Sequence, residues 1–270
     1  MKNSSFLFLK SLIERRTGIV LTEDKMYLLE ARFSSTCKAN GFANIDDMCM
    51  ALQRGADRGL VDELIERITT NETSFFRDRE PFVALQREIL PALIDARRSE
   101  RSLRIWSAAC SSGQEAYSLS MILTEGFPEL GAWDVQIVAT DISTEMVERC
   151  NAALYTEHEV SRGLTPERLR MHFKKTPGGR YAVAPKVAER VRARRLNLLE
   201  PFPADFRFDL VLMRNVLIYF EQDTRDRILS RVHGTIRQGG YLMLGTAEAP
   251  RGEQFQRADV GSASVFQRAA

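Results

Sequence analysis

The chain has 270 residues, 44% of them hydrophobic, and its 38 Lys and Arg against 36 Asp and Glu leave a net charge of +2. That is enough apolar material for one large or two modest cores, and the charge is too even to mark a nucleic-acid binder, so nucleic acid is not an expected partner despite local arginines at 97–104 and 190–195. No charge-free apolar run reaches the length of a membrane span, four cysteines lie far apart without a CxxC pair, and three histidines sit outside any paired-ligand or nucleophile motif; a cytoplasmic protein with free thiols and no metal is expected.

Residues 1–70 carry a helical period. Phe6, Leu9, Leu12 and Ile13 define a first helix ending near Gly18, and Thr22 is placed to cap a second with Met26, Leu29 and Phe33, closed by Gly41. Asn44 with Asp47 marks a third start, and Leu60, Leu64, Ile65 and Ile68 a fourth helix. With no strand pattern among them, these segments predict a separate all-helical domain. The next stretch, TTNETSFFRD (69–78), joins turn-prone Asn71, Thr73 and Ser74 to two phenylalanines and Arg77, a composition suited to a ligand-holding loop. The competing reading packs Phe75 and Phe76 into a domain junction. Residues 1–78 are therefore read as the helical domain with its loop, and 79–101 as a linker helix opened by Pro81.

Residues 102–270 read as a second domain. Leu103 to Ala109 is an apolar strand, Cys110 to Gly113 a tight turn, and Tyr117, Leu119, Met121, Ile122 and Leu123 a helix; Val135 to Thr140 is the next strand, ending at Asp141. Strand, helix and strand make the crossover of a parallel sheet, whose ligands sit at the carboxyl ends of the strands. A dinucleotide turn needs several glycines and this one has only Gly113, which disfavours a pyrophosphate site and an NAD enzyme. Glu115 could accept from an ammonium and Asp141 from two ribose hydroxyls, which suits a nucleoside with an amino-acid tail such as S-adenosylmethionine. The competing reading leaves both as acids favoured by helix dipoles.

Past Asp141, Ser143 caps a short helix, and a weakly patterned region follows. Turn residues Pro177, Gly178 and Gly179 separate two extended candidates, and VRARR (191–195) reads as a returning strand, so a small β subdomain is expected at about 172–196. The sheet resumes with the continuous apolar run Phe208 to Met213, which ends at Arg214 and Asn215, again at a carboxyl edge. A helix from Thr224 to Ile236, a Gly239-Gly240 turn, a strand Tyr241 to Leu244 and a last edge strand at Ser264 to Phe266 complete the pattern.

In order along the chain, TTNETSFFRD, RIWSAACSSGQEAYSLS, ATDIS, LNLLEPF, RNVLIYF and QGGYLMLGTAE closely resemble the CheR chemotaxis receptor methyltransferases. The resemblance covers nearly the whole chain. It implies an α/β fold, a Rossmann-like class I methyltransferase sheet with an N-terminal all-helical domain and a small β insertion. It also implies a protein-glutamate O-methyltransferase that uses S-adenosylmethionine, releases S-adenosylhomocysteine, and esterifies glutamates on the cytoplasmic helices of methyl-accepting chemotaxis receptors for sensory adaptation. By motif position, Asn71, Thr73, Arg77, Glu115, Asp141, Asn197, Leu198, Arg214 and Asn215 would hold the cofactor, Tyr219 matches the family's tyrosine near the reacting methyl, and Arg98 its active-site arginine. Lys25, Arg32 and Lys38 could meet an acidic receptor surface, with ordinary solvated side chains as the plain alternative. The insertion loop TPGGRY is short for binding a receptor-tail pentapeptide, and independence of that peptide is expected. Without heptads or a long exposed apolar stripe, a monomer is expected. The competing functions are a methyltransferase for RNA or a small molecule and a non-catalytic S-adenosylmethionine-binding scaffold.

Overall fold

Apolar residues recurring at three- and four-residue intervals build the first part of the chain into helices in the computed structural model, which describes residues 1–55 and 58–269. Helix α1 (Asn3–Thr17) buries Phe6, Leu9 and Ile13 and stops at Gly18, whose φ of +76° is the left-handed value that ends helices cheaply only at glycine. Helix α2 (Met26–Ala39) begins after a 3-10 turn over Glu23–Lys25; that turn intervenes, and Thr22 makes no side-chain cap. At the start of α3 (Ile45–Gln53) the Asn44 side chain accepts from the Asp47 N–H at 3.0 Å, closing the expected cap. Helix α4 (Arg58–Ile68) ends on the Arg32 guanidinium, which donates to the carbonyls of Ile68 and, at 3.2 Å, Thr69. Arg32 is thus engaged with the helix that leads into the 69–78 loop. These helices enclose a core of their own, built on Phe6, Leu9, Leu29, Phe33 and Met48.

The linker runs as α5 (Glu80–Ala84), a π-helical stretch at Leu85–Ile89 and α6 (Leu90–Ala96). Pro91 cannot donate to the carbonyl four residues back, and the helix widens in the turn before it. At its end Arg97 reaches the fully buried Asp209 at 2.7 Å, which fastens the linker beneath the sheet.

The second domain contains β1 (Ser102–Ala108), α7 (Gln114–Gly126), β2 (Asp134–Asp141), α8 (Thr144–Ala152), β3 (Leu154–Tyr155), α9 (Glu157–Ser161), α10 (Pro166–His172), β4 (Phe173–Lys175), β5 (Tyr181–Val183), α11 (Pro185–Ala188), β6 (Val191–Arg195), β7 (Phe208–Met213), α12 (Gln222–Thr235), β8 (Ile236–Leu244), β9 (Phe255–Arg257) and β10 (Val265–Arg268). Among the described residues the main sheet has seven strands in the order β6-β2-β1-β7-β8-β10-β9. The first five are parallel and β10 runs antiparallel to both its neighbours. From β1 the sheet grows toward β6, then the chain crosses back to β7, so its switch point lies between β1 and β7, where such sheets open a crevice.

Three details differ from the expectations of the sequence. Val191–Arg195 pairs with β2 in the main sheet, while the small sheet is β3-β5-β4 and takes Leu154–Tyr155 as its extra strand; it spans 154–183 rather than 172–196. Strand β8 begins at Ile236 and absorbs Gly239 and Gly240 as an irregularity opposite Phe208 and Leu210, where a Cβ on Gly240 would fall 2.7 Å from the Asp209 carbonyl. The sheet edge is β9, with β10 inside it. At the opposite edge, the Asn151 amide donates to the Ala193 carbonyl and accepts from the Ala193 N–H, both at 2.9 Å.

Candidate active site

Four backbone turns leave the carboxyl ends of β1, β2, β6 and β7 and meet the 69–78 loop around one cavity. The turn after β1 is tightest: Ala109 and Ser111 have φ of +53° and +50°, and Gly113, at +94°, leads into α7. Glycine is required there twice over, for the φ and because a Cβ would lie 2.5 Å from the Cys150 sulfur. Beside it Cys110 is a neutral thiol, pushed well up by contact with Cys150 and by burial, and is not a nucleophile.

Asp141 ends β2 with both oxygens committed, one accepting from the Ser111 N–H at 2.8 Å and the other from the Ser143 N–H at 3.0 Å. Burial pushes its carboxyl above the usual range, those N–H groups pull it back, and the neighbouring Glu66 pushes it up again. Glu66, from α4, accepts from the Ser143 hydroxyl and, at 2.6 Å, from the Thr144 N–H, tying the helical domain to the start of α8. Glu115, in the first turn of α7, accepts from Ser107 at 2.8 Å and from Arg214 at 3.0 Å. Arg214 also donates to Asp78 and to the Arg77 carbonyl, each at 2.9 Å, so one buried cation serves two carboxylates. Its Nε is buried without a partner among the described residues. Arg77 itself donates to the Glu72 carbonyl at 3.0 Å and has no carboxylate in ion-pair range among the described residues. Surplus negative charge around Arg214 and an uncommitted guanidinium at Arg77 suit a ligand carrying an ammonium and a carboxylate.

Asn71, Thr73, Arg77, Glu115, Asp141, Asn197, Leu198, Arg214, Asn215 and Tyr219 all line this cavity, joined by Thr17, Ile19 and Ile68 from the helical domain. The Asn71 carbonyl accepts from the Ser111 hydroxyl at 2.9 Å. The Asn197 side chain is turned to structural use: its amide donates to the Arg16 carbonyl at 2.8 Å and its oxygen accepts from the Leu199 N–H at 3.0 Å. Both readings of the double phenylalanine hold in part, since Phe75 is fully buried edge-on to Tyr155 and Phe173 while the polar residues around it face the cavity. Arg98 is elsewhere. It sits exposed after α6, paired with Asp95 at 3.4 Å, just before the amino end of β1. The cavity is at the other end of that seven-residue strand, roughly 20 Å away at about 3.3 Å per residue, which rules Arg98 out of the site. Sequence reasoning missed the parts played by Glu66, Ser107 and Glu248: the last two stand inside the quoted motifs, but no spacing reveals the partners of any of the three.

A mostly parallel sheet with its crevice at the switch point, one glycine in the first turn and an acid ending β2 fit an S-adenosylmethionine-dependent methyltransferase. Family models agree on both halves: CheR methyltransferase, SAM binding domain, matches residues 71–265, and CheR methyltransferase, all-alpha domain, matches residues 4–69. The chain belongs to the CheR methyltransferase family. It is 44% identical to chemotaxis protein methyltransferase 1 of Pseudomonas aeruginosa, over 92% of this chain and 90% of that one. Chemotaxis protein methyltransferase Cher2 of Pseudomonas putida is 38% identical over 98% of each chain. Among solved structures, PKMT2 from Rickettsia typhi in complex with AdoHcy is 13% identical with a TM-score of 0.38, covering 65% of this chain and 26% of that one. The DhpI-SAH complex is 14% identical with a TM-score of 0.33, covering 72% and 71%. Both of these likenesses are too distant to speak to function.

Proposed function

We propose that the chain methylates glutamate side chains on the cytoplasmic helices of chemotaxis receptors, forming methyl esters. The observation that carries this is the pairing, in one cavity, of a cofactor-shaped charge pattern with Tyr219, and with no histidine or lysine among the described lining residues. Asp141, whose oxygens keep lone pairs beyond their N–H bonds, would hold the ribose, Glu115 the ammonium and Arg77 the carboxylate of S-adenosylmethionine, and Asn71, Thr73, Leu198 and Asn215 line the walls. Bound there, the cofactor supplies a sulfonium methyl group. A glutamate, with a reference pKa near 4.3, is already an anion at neutral pH, so no residue has to remove a proton. Its transfer would form an oxygen–carbon bond at the expense of the sulfonium's sulfur–carbon bond, and the protein's work is in-line placement and exclusion of water, worth about 7–11 kcal/mol in well-oriented systems. The Tyr219 hydroxyl is suited to hold the incoming carboxylate.

The reading is tested with methyl-labelled cofactor and a receptor cytoplasmic fragment. Label should enter the fragment and be released as methanol by mild alkali. Label that resists alkali, or that enters RNA and not the receptor, would overturn it.

A further inference from the structure

Glu248 lies outside the cavity, in the turn after β8, and is 7% exposed. Its carboxylate collects five backbone donors, four from the segment that carries Asn215 and Tyr219 and one from its own turn. Oε2 accepts from Gly245 at 2.7 Å and Asn215 at 2.9 Å; Oε1 accepts from Val216 at 2.9 Å, Leu217 at 2.7 Å and Ile218 at 3.3 Å. No side-chain cation within ion-pair distance is among its partners in the described residues. The seat is close-fitting: a Cβ on Gly245 would lie 2.7 Å from Oε2 and 3.0 Å from the Asn215 nitrogen. On its other side the same segment is pinned by the helical domain, where the Val20 N–H donates to the Tyr219 carbonyl at 2.9 Å. Asn215 is thereby held at φ +59°, a left-handed conformation that asparagine tolerates better than most residues.

We propose that Glu248 is a positioning residue for methyl transfer, fixing through these backbone bonds where Asn215 and the Tyr219 hydroxyl stand in the cavity; this rests on glutamate methylation being the reaction. An ionised carboxylate offers about four lone-pair directions and no donor, which is what a ring of N–H groups needs. Glutamine in the same place offers one oxygen and turns its amide hydrogens toward N–H donors. The turn then relaxes, and Tyr219 moves with it. A displacement near 1 Å in a reacting constellation costs on the order of 10²-fold in rate, while the cofactor keeps its charged partners on other elements.

The test compares wild type, Glu248→Gln and Glu248→Asp for kcat and KM on a receptor cytoplasmic fragment, for S-adenosylhomocysteine affinity by calorimetry, and for folding by near-UV circular dichroism. Glu248→Gln should lose roughly 10- to 100-fold in kcat with cofactor Kd changed less than about fivefold, and Glu248→Asp, which keeps the charge with a shorter reach, should recover part of the loss. Should Glu248→Gln not fold, the same kcat-to-Kd ratio is read from Glu248→Asp. Unchanged kcat in both variants, equal losses of kcat and cofactor affinity, or loss of folding in both would overturn the proposal. If wild type itself makes no alkali-labile ester, it is glutamate methylation that fails.

Discussion

Two arginines separated by twenty-one positions show how much a residue's rim decides. Arg77 leaves a loop at the carboxyl ends of the strands and lines the cavity; Arg98 precedes β1 and is exposed at the amino ends. Both lie in polar, arginine-bearing surroundings in the sequence, and only the direction of β1 tells them apart. Arg77→Ala should weaken S-adenosylhomocysteine binding at least tenfold in calorimetry with little change in melting temperature, since its one side-chain hydrogen bond among the described residues is to a loop carbonyl. Asp141→Ala should lose affinity and stability together, because it strands the N–H groups of Ser111 and Ser143, each a penalty of about 1–3 kcal/mol when buried. Arg98→Ala should leave affinity and turnover at wild-type values. Tyr219→Phe separates binding from chemistry: cofactor affinity should hold while kcat falls, and equal loss of both would remove its role at the reacting carboxylate.

At the scale of elements, the 69–78 loop is a rigid wall because others grip it. Phe76 has a φ of +50°, donates its N–H to the Ser118 hydroxyl at 2.9 Å, and lies beneath the Arg168 guanidinium, 4.0 Å from the ring centroid. Arg168 is fixed by Glu125 at 2.8 Å, and Glu125 also meets His172 at 2.7 Å. Burial pushes the Glu125 carboxyl up, but the bonds from Arg168 and His172 outweigh it and leave the group below its ordinary value. A lowered folded-state value means stability that is present above the ordinary glutamate range, about 4.3, and lost as pH falls through the lowered one. Glu125→Gln should therefore cost about 1–3 kcal/mol at neutral pH, and the gap in melting temperature from wild type should close below about pH 4. None of this triad is legible in the sequence. The β1–α7–β2 crossover is, because its apolar periods change cleanly from strand to helix to strand and its polar ends fall on one rim. By contrast β6, though its alternation of small residues with arginines reads as a strand, carries no sign of which sheet it joins, and β9 has only three residues, too few for a period. Glu248 closes the motif QGGYLMLGTAE, but its role is hidden there: four of its partners are backbone groups some thirty residues upstream in the chain, and backbone leaves no trace in side-chain spacing.

Across the whole molecule, two separately packed domains share one cavity. The helical domain keeps its own apolar cluster and joins the sheet domain through polar links: Glu66 to the start of α8, Asn197 to Arg16, Arg195 to Asp62 at 3.2 Å, and Val20 to Tyr219. Such a junction is strengthened by whatever bridges it. S-adenosylhomocysteine at a hundred times its Kd should stabilise the protein by about 2.7 kcal/mol, and calorimetry should show the helical domain's transition moving up with that of the sheet domain. A helical-domain transition indifferent to the ligand would show that the cavity closes without it. The outer edge of β6 has a different significance. By offering its amide to both backbone groups of Ala193, Asn151 impersonates the next strand and occupies a place where a second molecule could add on. The side chain thus stands as a sentinel against strand addition at that one place on the edge, on a residue remote from the cavity.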